Sequence, residues 1–446
     1  MSRNLVQAVH SGSKECVSSN LDCFELPMTQ YDVTGTYYNE VLPIQPLSKS
    51  SNTIQFEVLS SEDYIDPNDI LCEVSVKVSK SNGDVIDAYT NEASVGFCQM
   101  PLSTIFSDVQ IKLNSRLITS NFSTYPYLAY IQTLFNFGKD ARESKLHLTG
   151  FYQDQNPSEL SAHGVVGNSG YKERAALTSL SKTLYLIGPL FSSITNQSKY
   201  LPPLLNMSVI FQKAPHFFAL KSNVDNATFI YQLESLKLHV KKIQVMSSHK
   251  LRLENRLSQT NAKFPIKHAY VKPLTIDAAV KSCAFENLFS SGFLPETCII
   301  GLVTTESFLG SYSTSPFDFR HFSLNDLSIS YDDKIFPTIP YELDYVTTKN
   351  WIRGYLSLFQ ESNLKSDGGI GISLKNYPNG FCFYQINFGN ERTNGDHFNP
   401  KKIGSARLKL QFDTLTNPSL TCLVYCESSE IIEINKNREI VRDFNL

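Results

Sequence analysis

At 446 residues the chain is longer than one ordinary domain of about 100–200, and 41% hydrophobic with 19% charged residues excludes wholesale disorder. Lys and Arg number 40 against 43 Asp and Glu, a net charge of −3, so there is no basic excess of the kind a nucleic-acid binder carries. The longest apolar run, residues 298–303, falls far short of the about 20 residues of a spanning helix, and the polar start through His10 and Lys14 reads as no secretory leader.

Aromatic residues reach 12%, with 29 Phe and 22 Tyr but one Trp, which favours pleated sheet. Nine cysteines, an odd number scattered over a large chain, form no disulfide framework and are expected as reduced, buried thiols.

Along the chain, period-two alternation recurs. Ile54, Phe56 and Val58 come first; Cys72, Val74, Val76 and Val78 follow, closed by an Asn82-Gly83 turn. Then come Val109/Ile111/Leu113, Met207/Val209/Phe211, Leu236/Leu238/Val240, Leu327/Ile329/Tyr331 and Ala406/Leu408/Leu410/Phe412. Residues 298–303 and 381–384 are continuously apolar instead, as in strands covered on both faces. Helical spacing is scarce. After Thr124, residues Tyr127, Ile131, Leu134 and Phe135 share a helical face; after Thr347 and Thr348, residues Trp351, Ile352, Tyr355 and Phe359 do the same.

Two stretches repeat. Asp108-Val109-Gln110-Ile111-Lys112-Leu113 with Arg116 matches Asp326-Leu327-Ser328-Ile329-Ser330-Tyr331 with Lys334 without a gap, about half of the 446-residue chain apart. The helices keep the same order, Tyr130 to Phe135 beside Tyr355 to Phe359, and a later strand agrees, Met207 to Gln212 beside Leu408 to Asp413. Chance likeness explains one alternating strand, but not three elements in one order. The chain therefore reads as mostly β, two tandem β-sandwiches of eight strands each, with a short helix inserted in each. The expected division is an N-terminal arm over 1–45, a first jelly roll over 46–247 and a second over 248–446. The seam falls near Met246 to Lys263, around a helix-like Leu251 to Leu257.

No catalytic, cofactor-binding or metal residues are assigned. Asp367-Gly368-Gly369-Ile370-Gly371 lacks the Lys and Ser/Thr of a phosphate loop and reads as a flexible turn. Cys422 and Cys426, four apart on a strand, would stand about 13 Å from each other, too far to share a zinc. His397 beside Asp396 has the ingredients of acid–base chemistry but reads as a structural loop pair, and Asp332-Asp333 carries no glycosidase pattern. Asn121, Asn196, Asn206 and Asn226 head Asn-x-Ser/Thr triplets that read as chance matches. Lys237, Lys241, Lys242 and Lys250 lack interleaved aromatics and read as a solvated strand edge.

Several stretches together resemble the major capsid protein of adintoviruses and of the related Polinton (Maverick) elements. They are Ser61-Glu62-Asp63-Tyr64-Ile65-Asp66, Thr124-Tyr125-Pro126-Tyr127, Leu134-Phe135-Asn136-Phe137-Gly138-Lys139, Gly310-Ser311-Tyr312 with Pro316-Phe317-Asp318-Phe319-Arg320-His321-Phe322, Gly395 to Asn399, and Ile432-Glu433-Ile434-Asn435-Lys436-Asn437-Arg438. The resemblance runs from about residue 40 to the last residues. It implies a hexon-like double jelly roll and a homotrimer of pseudo-hexagonal outline that tiles an icosahedral virion shell. Penton and minor capsid proteins are the implied partners, with no cofactor, no sequence-specific nucleic acid and no transmembrane segment. The alternative readings are a tandem β-sandwich that binds glycans or a receptor, and an enzyme on a jelly-roll scaffold.

Overall fold

The computed structural model describes residues 20–442 apart from 22, 25, 27, 49–50, 91–94, 120–121, 159–166, 225–227, 290–291, 333, 360–368 and 390–397. The alternating segments form strands in the order expected. In the first half these are β1 (Val33–Val41), β2 (Thr53–Val58), β3 (Tyr64–Lys80), β4 (Val95–Phe97), β5 (Phe106–Leu113), β6 (Arg116–Leu117), β7 (Leu184–Pro189), β8 (Met207–Lys213), β9 (Leu220–Ser222) and β10 (Phe229–Val245). The second half holds β11 (Ala262–Ile276), β12 (Ser282–Phe285), β13 (Thr297–Thr304), β14 (Leu324–Tyr331), β15 (Lys334–Phe336), β16 (Phe383–Asn387), β17 (Ala406–Phe412), β18 (Leu420–Ile434) and β19 (Ile440–Arg442). β1 lies inside the stretch assigned to the arm and pairs with β10.

The first half builds two antiparallel sheets, β1-β10-β3-β7 and β2-β8-β5-β6; the second builds β11-β18-β13-β16 and β12-β17-β14-β15, with β19 added on β18. With the small β4–β9 pair and β19 set aside, each half has eight strands among the described residues. Numbered one to eight along the chain, they lie in the order 1-8-3-6 and 2-7-4-5 in both halves. This is jelly-roll connectivity, two Greek keys folded into facing sheets, written twice. The alternating side chains point inward and pool into one continuous core, from Phe56, Val74 and Phe211 to Leu327, Leu410 and Val424. The apolar run at 298–303 is β13, buried on both faces as its composition demands.

The duplication extends to irregularities. β5 carries a bulge between Phe106 and Asp108, and β14 carries one between Leu324 and Asp326. Beyond each bulge an Asp faces a Gln, Asp108 opposite Gln212 and Asp326 opposite Gln411. Each strand then reverses through a two-residue hairpin, Leu113 to Arg116 and Tyr331 to Lys334. Asn114, Ser115 and Asp332 adopt the positive φ that such a turn requires (φ 43°, 69° and 48°).

Register corrects one detail of the repeat. Val109 pairs with Phe211 and Leu327 pairs with Leu410, so Phe211 corresponds to Leu410 and not to Phe412. A two-residue slip keeps every side chain on its own face, so alternation alone could not detect it. The two halves join through the helix Ser247–Gln259, longer at both ends than the helix-like stretch seen in the sequence.

Candidate assembly surfaces

The residues weighed for chemistry are not brought together. Cys422 and Cys426 are buried on β18; Cys426 faces Cys298 of β13, whereas Cys422 faces Leu302. Burial pushes the thiols of Cys298 and Cys422 up, which keeps them protonated and inert. Among the described residues no group of three or more His, Cys, Asp and Glu is placed to hold a metal ion, and no helix is long and apolar enough to cross a membrane. Asp396-His397, Asn121, Asn226, Asp333 and Asp367-Gly368 lie outside the described residues. Gly371, at the end of the Gly-rich stretch, is pinned: its N–H donates to Leu134 O at 2.7 Å, and its carbonyl accepts from Arg142 Nη1 and Gln153 Nε2.

The lysine stretch is not a strand edge. β10 lies between β1 and β3, and its cations are matched across the sheet. Lys241 reaches Asp69 at 2.8 Å, Lys237 reaches Glu40 at 3.2 Å, and buried Lys242 donates to Ser61 Oγ. Lys250, beyond the strand, approaches Asp63 at 3.5 Å. The partners are 100 or more residues away in sequence, so local pattern could not reveal them.

The contact between the halves is built around the helix Tyr125–Asn136. Of the face the spacing predicts, Tyr127, Ile131 and Leu134 are fully buried and Phe135 is half-buried; Tyr130, outside that set, is fully buried as well. What covers it is the second half. Tyr130 stacks on Phe317 with ring centroids 4.2 Å apart, Tyr127 lies 5.7 Å from Phe308, and Phe135 lies 6.0 Å from Phe383. Thr124 Oγ1, just before the helix, donates to Val271 O of β11 at 2.8 Å. Phe317 belongs to the stretch Pro316–Phe322 singled out in the sequence, so that stretch supplies the seat for the helix.

The corresponding helix of the second half, Ile352–Ser357, is shorter and half-covered. Trp351 and Tyr355 pack on Tyr377 of the same half, at 5.6 and 5.4 Å. Ile352 does not join the buried face predicted for it. It is 62% exposed, and Leu356, one turn on, is 47% exposed. Ile339 adds to this surface, because Arg353 on the helix donates to the carbonyls of Ile339 and Pro340. This helix therefore leaves Ile352 and Leu356 open to solvent, whereas the first half's helix is covered by its neighbour.

A second tie between halves comes from the end of the chain, in the stretch Ile432 to Arg438. Arg438 is buried, takes a positive φ of 64°, and donates to Pro203 O at 2.8 Å and to Glu254 Oε1 at 2.7 Å. Asn114 Nδ2, in the hairpin of the first half, donates to Arg438 O at 2.7 Å. A buried ion pair and a buried lysine were also missed in the sequence. Arg174 and Asp154 pair at 2.7 Å beneath the first half's connection between β6 and β7. Lys221, 1% exposed, donates to Phe217 O and to Ser311 O of the second half, and burial lowers it to about 8. Neither has a sequence signature, since each partner is set by a loop path.

No protein family model matches the chain. An uncharacterized protein of Caenorhabditis elegans, F54H12.2, is 21% identical over 396 residues, covering 86% of this chain and 91% of that one. Among solved structures, a chain of the Sputnik virophage structure determined by cryo-EM matches with a TM-score of 0.66 at 10% identity, covering 97% of this chain and 93% of that one. The Faustovirus major capsid protein matches with a TM-score of 0.55 at 9% identity, over 94% of this chain and 92% of that one. The mavirus major capsid protein matches at 0.53 and 9% identity, over 98% and 96%. Likeness at this identity is likeness of fold: the chain is a double jelly roll, an architecture it shares with viral major capsid proteins.

Proposed function

We propose that the chain is a major capsid protein, a structural subunit without catalytic role, that forms homotrimeric capsomers of pseudo-hexagonal outline in the icosahedral shell of a double-stranded DNA virus. The reading assigns it to the adintovirus and Polinton (Maverick) type, which its sequence stretches resemble. The proposed division is an arm over 1–45, a first jelly roll over 46–247 and a second over 248–446, with β1 completing the first. Its partners are its own copies, then vertex (penton) and minor capsid proteins, and its location is the virion.

The observation that carries the reading is the unequal burial of two equivalent helices. Within one chain, the first jelly roll's helix packs against the second jelly roll. The second jelly roll presents the same element with Ile352 and Leu356 uncovered. Three chains in a ring repeat the internal contact between chains: each second jelly roll meets the next chain's first, and six similar units close around one axis. A closed ring leaves no such face unpaired, whereas a monomer leaves one on every molecule. An obligate interface of this kind buries more than about 2,000 Å² with an apolar centre.

Mass photometry at micromolar concentration should find particles of three times the 50.2 kDa chain mass, and negative-stain microscopy should show hexagonal outlines. The double substitution Ile352→Asp and Leu356→Asp should leave folding stability within about 0.5 kcal/mol, because both side chains are exposed, while yielding monomers. A wild-type protein that stays monomeric overturns the proposal.

A further inference from the structure

An apolar groove of about 520 Å³ opens at the seam, between the connecting helix Ser247–Gln259 and the first residues of β1 and β11. Val33, Val245, Leu253, Leu257, Ala262 and Phe264 form its apolar lining. Its rim holds Lys199, Arg256 and Lys263 against Asp32 and Glu254. Both acids already have close neighbours: Glu254 accepts from Arg438 at 2.7 Å, and Asp32 lies 3.5 Å from His249. Lys263 is likewise paired, 3.6 Å from Glu433, so the rim is left with Lys199 and Arg256 against Asp32, a margin of one positive charge.

The chain enters this groove from a segment whose described residues are exposed. Phe24, Leu26 and Met28 are 94%, 92% and 104% exposed, and Leu21 and Tyr31 are exposed as well. Large apolar side chains at this density on the outside of a protein mark an unmet contact. Their spacing suits an extended ligand: Phe24, Leu26 and Met28 alternate with period two, so one face of a strand would present all three over about 13 Å. In sequence the segment also carries Asp22 and Glu25 and has no Lys or Arg between Leu21 and Tyr31. Anionic, apolar and extended, it complements a cationic, apolar groove in both charge and shape.

We propose that the groove is the docking site for residues 21–31 of a second copy of this chain. In its own chain the segment leaves the groove at Asp32 with its apolar side chains uncovered, so the groove of one copy receives the arm of another. The exchange rests on the capsid reading above and deepens it: it ties separate trimers to one another, while the helix faces described above close each trimer.

Site-specific cross-linking of the full-length protein tests this. In a Cys23→Ser background, one preparation carries Met28→Cys and a second carries Leu253→Cys. After the two are mixed and mildly oxidised, a covalent dimer containing one chain of each kind is expected, absent when either is oxidised alone. Phe24→Asp with Leu26→Asp, added to the Met28→Cys chain, should abolish the dimer. Cross-linking only within a single chain carrying both cysteines overturns the proposal, because the groove then belongs to its own arm. Three-fold particles with no cross-link overturn the exchange alone and leave the capsomer reading standing; monomers with no cross-link overturn both.

Discussion

In the first half, the connection between β6 and β7 folds into the helix Tyr125–Asn136, a second helix Ser169–Thr178 and the Arg174–Asp154 pair; in the second half, the connection between β15 and β16 holds the short helix Ile352–Ser357. The sheets beneath share one strand order, and β5 and β14 share a bulge at the same place. The helix of one connection is seated against the neighbouring jelly roll; the other connection reaches its neighbour through Gly371 but leaves Ile352 and Leu356 of its helix open to solvent. The difference separates two tasks. Strand order builds the unit, and the loops on it decide which unit it meets.

The sharpest way to break the comparison is at the buried contact. Tyr130→Ala removes a fully buried ring stacked on Phe317, and denaturant unfolding should show a loss of about 3–5 kcal/mol. The matching change Leu356→Ala, on the open face, should leave the unassembled chain within about 0.5 kcal/mol. Equal losses would mean that the two helices are equally engaged.

Asp154→Ala probes a part of the first half that has no counterpart among the described residues. It strands the buried Arg174, which also donates to Phe97 O at 2.8 Å, and should destabilise by about 3–5 kcal/mol. Arg174→Met combined with Asp154→Leu should recover most of that loss, because no unpaired charge then remains buried. Chemical denaturation of both variants makes the comparison.

Arg438→Ala releases the tie from the chain's end to the first half. Glu254 stays partly solvated and only Pro203 O loses a buried donor, so a smaller loss of about 1–3 kcal/mol is expected. Hydrogen exchange should rise at the hairpin of Asn114 and Ser115 as well as around Arg438.

Lys221 bridges the halves, and its effect is visible through pH. Burial lowers it to about 8 in the folded chain, against about 10.4 unfolded. Between those values the unfolded chain holds the extra proton, so stability contributed through Lys221 rises with pH. The buried thiols of Cys72 and Cys422 are pushed up and act with the opposite sign, losing stability as pH climbs past about 8.5. Subtracting the Lys221→Met profile from wild type isolates the lysine. The difference should move by about 2 kcal/mol in favour of wild type between about pH 8 and 10. A flat difference would place the amine in water.

Much of the architecture was readable because a strand with one buried face writes its period into the sequence. Val109, Ile111 and Leu113, and their counterparts Leu327, Ile329 and Tyr331, announced the fourth strand of each sandwich, and their likeness announced the duplication. The slip between Phe211 and Phe412 shows the limit, since period two is blind to shifts of two. The assembly surface was legible only in part. Ile352 and Ile131 are the same residue type on similar helices, yet one is open and the other buried.

By itself, then, the sequence determined the local rules: which segments form strands, which face of each is apolar, and that the set occurs twice. These follow from side-chain alternation and from turn residues that act over a few positions. Only the tertiary structure decided the strand order, the partners of Lys241, Arg174 and Arg438, and which of two similar helices stays uncovered. Those outcomes depend on contacts between residues far apart in the chain, and no local pattern encodes them.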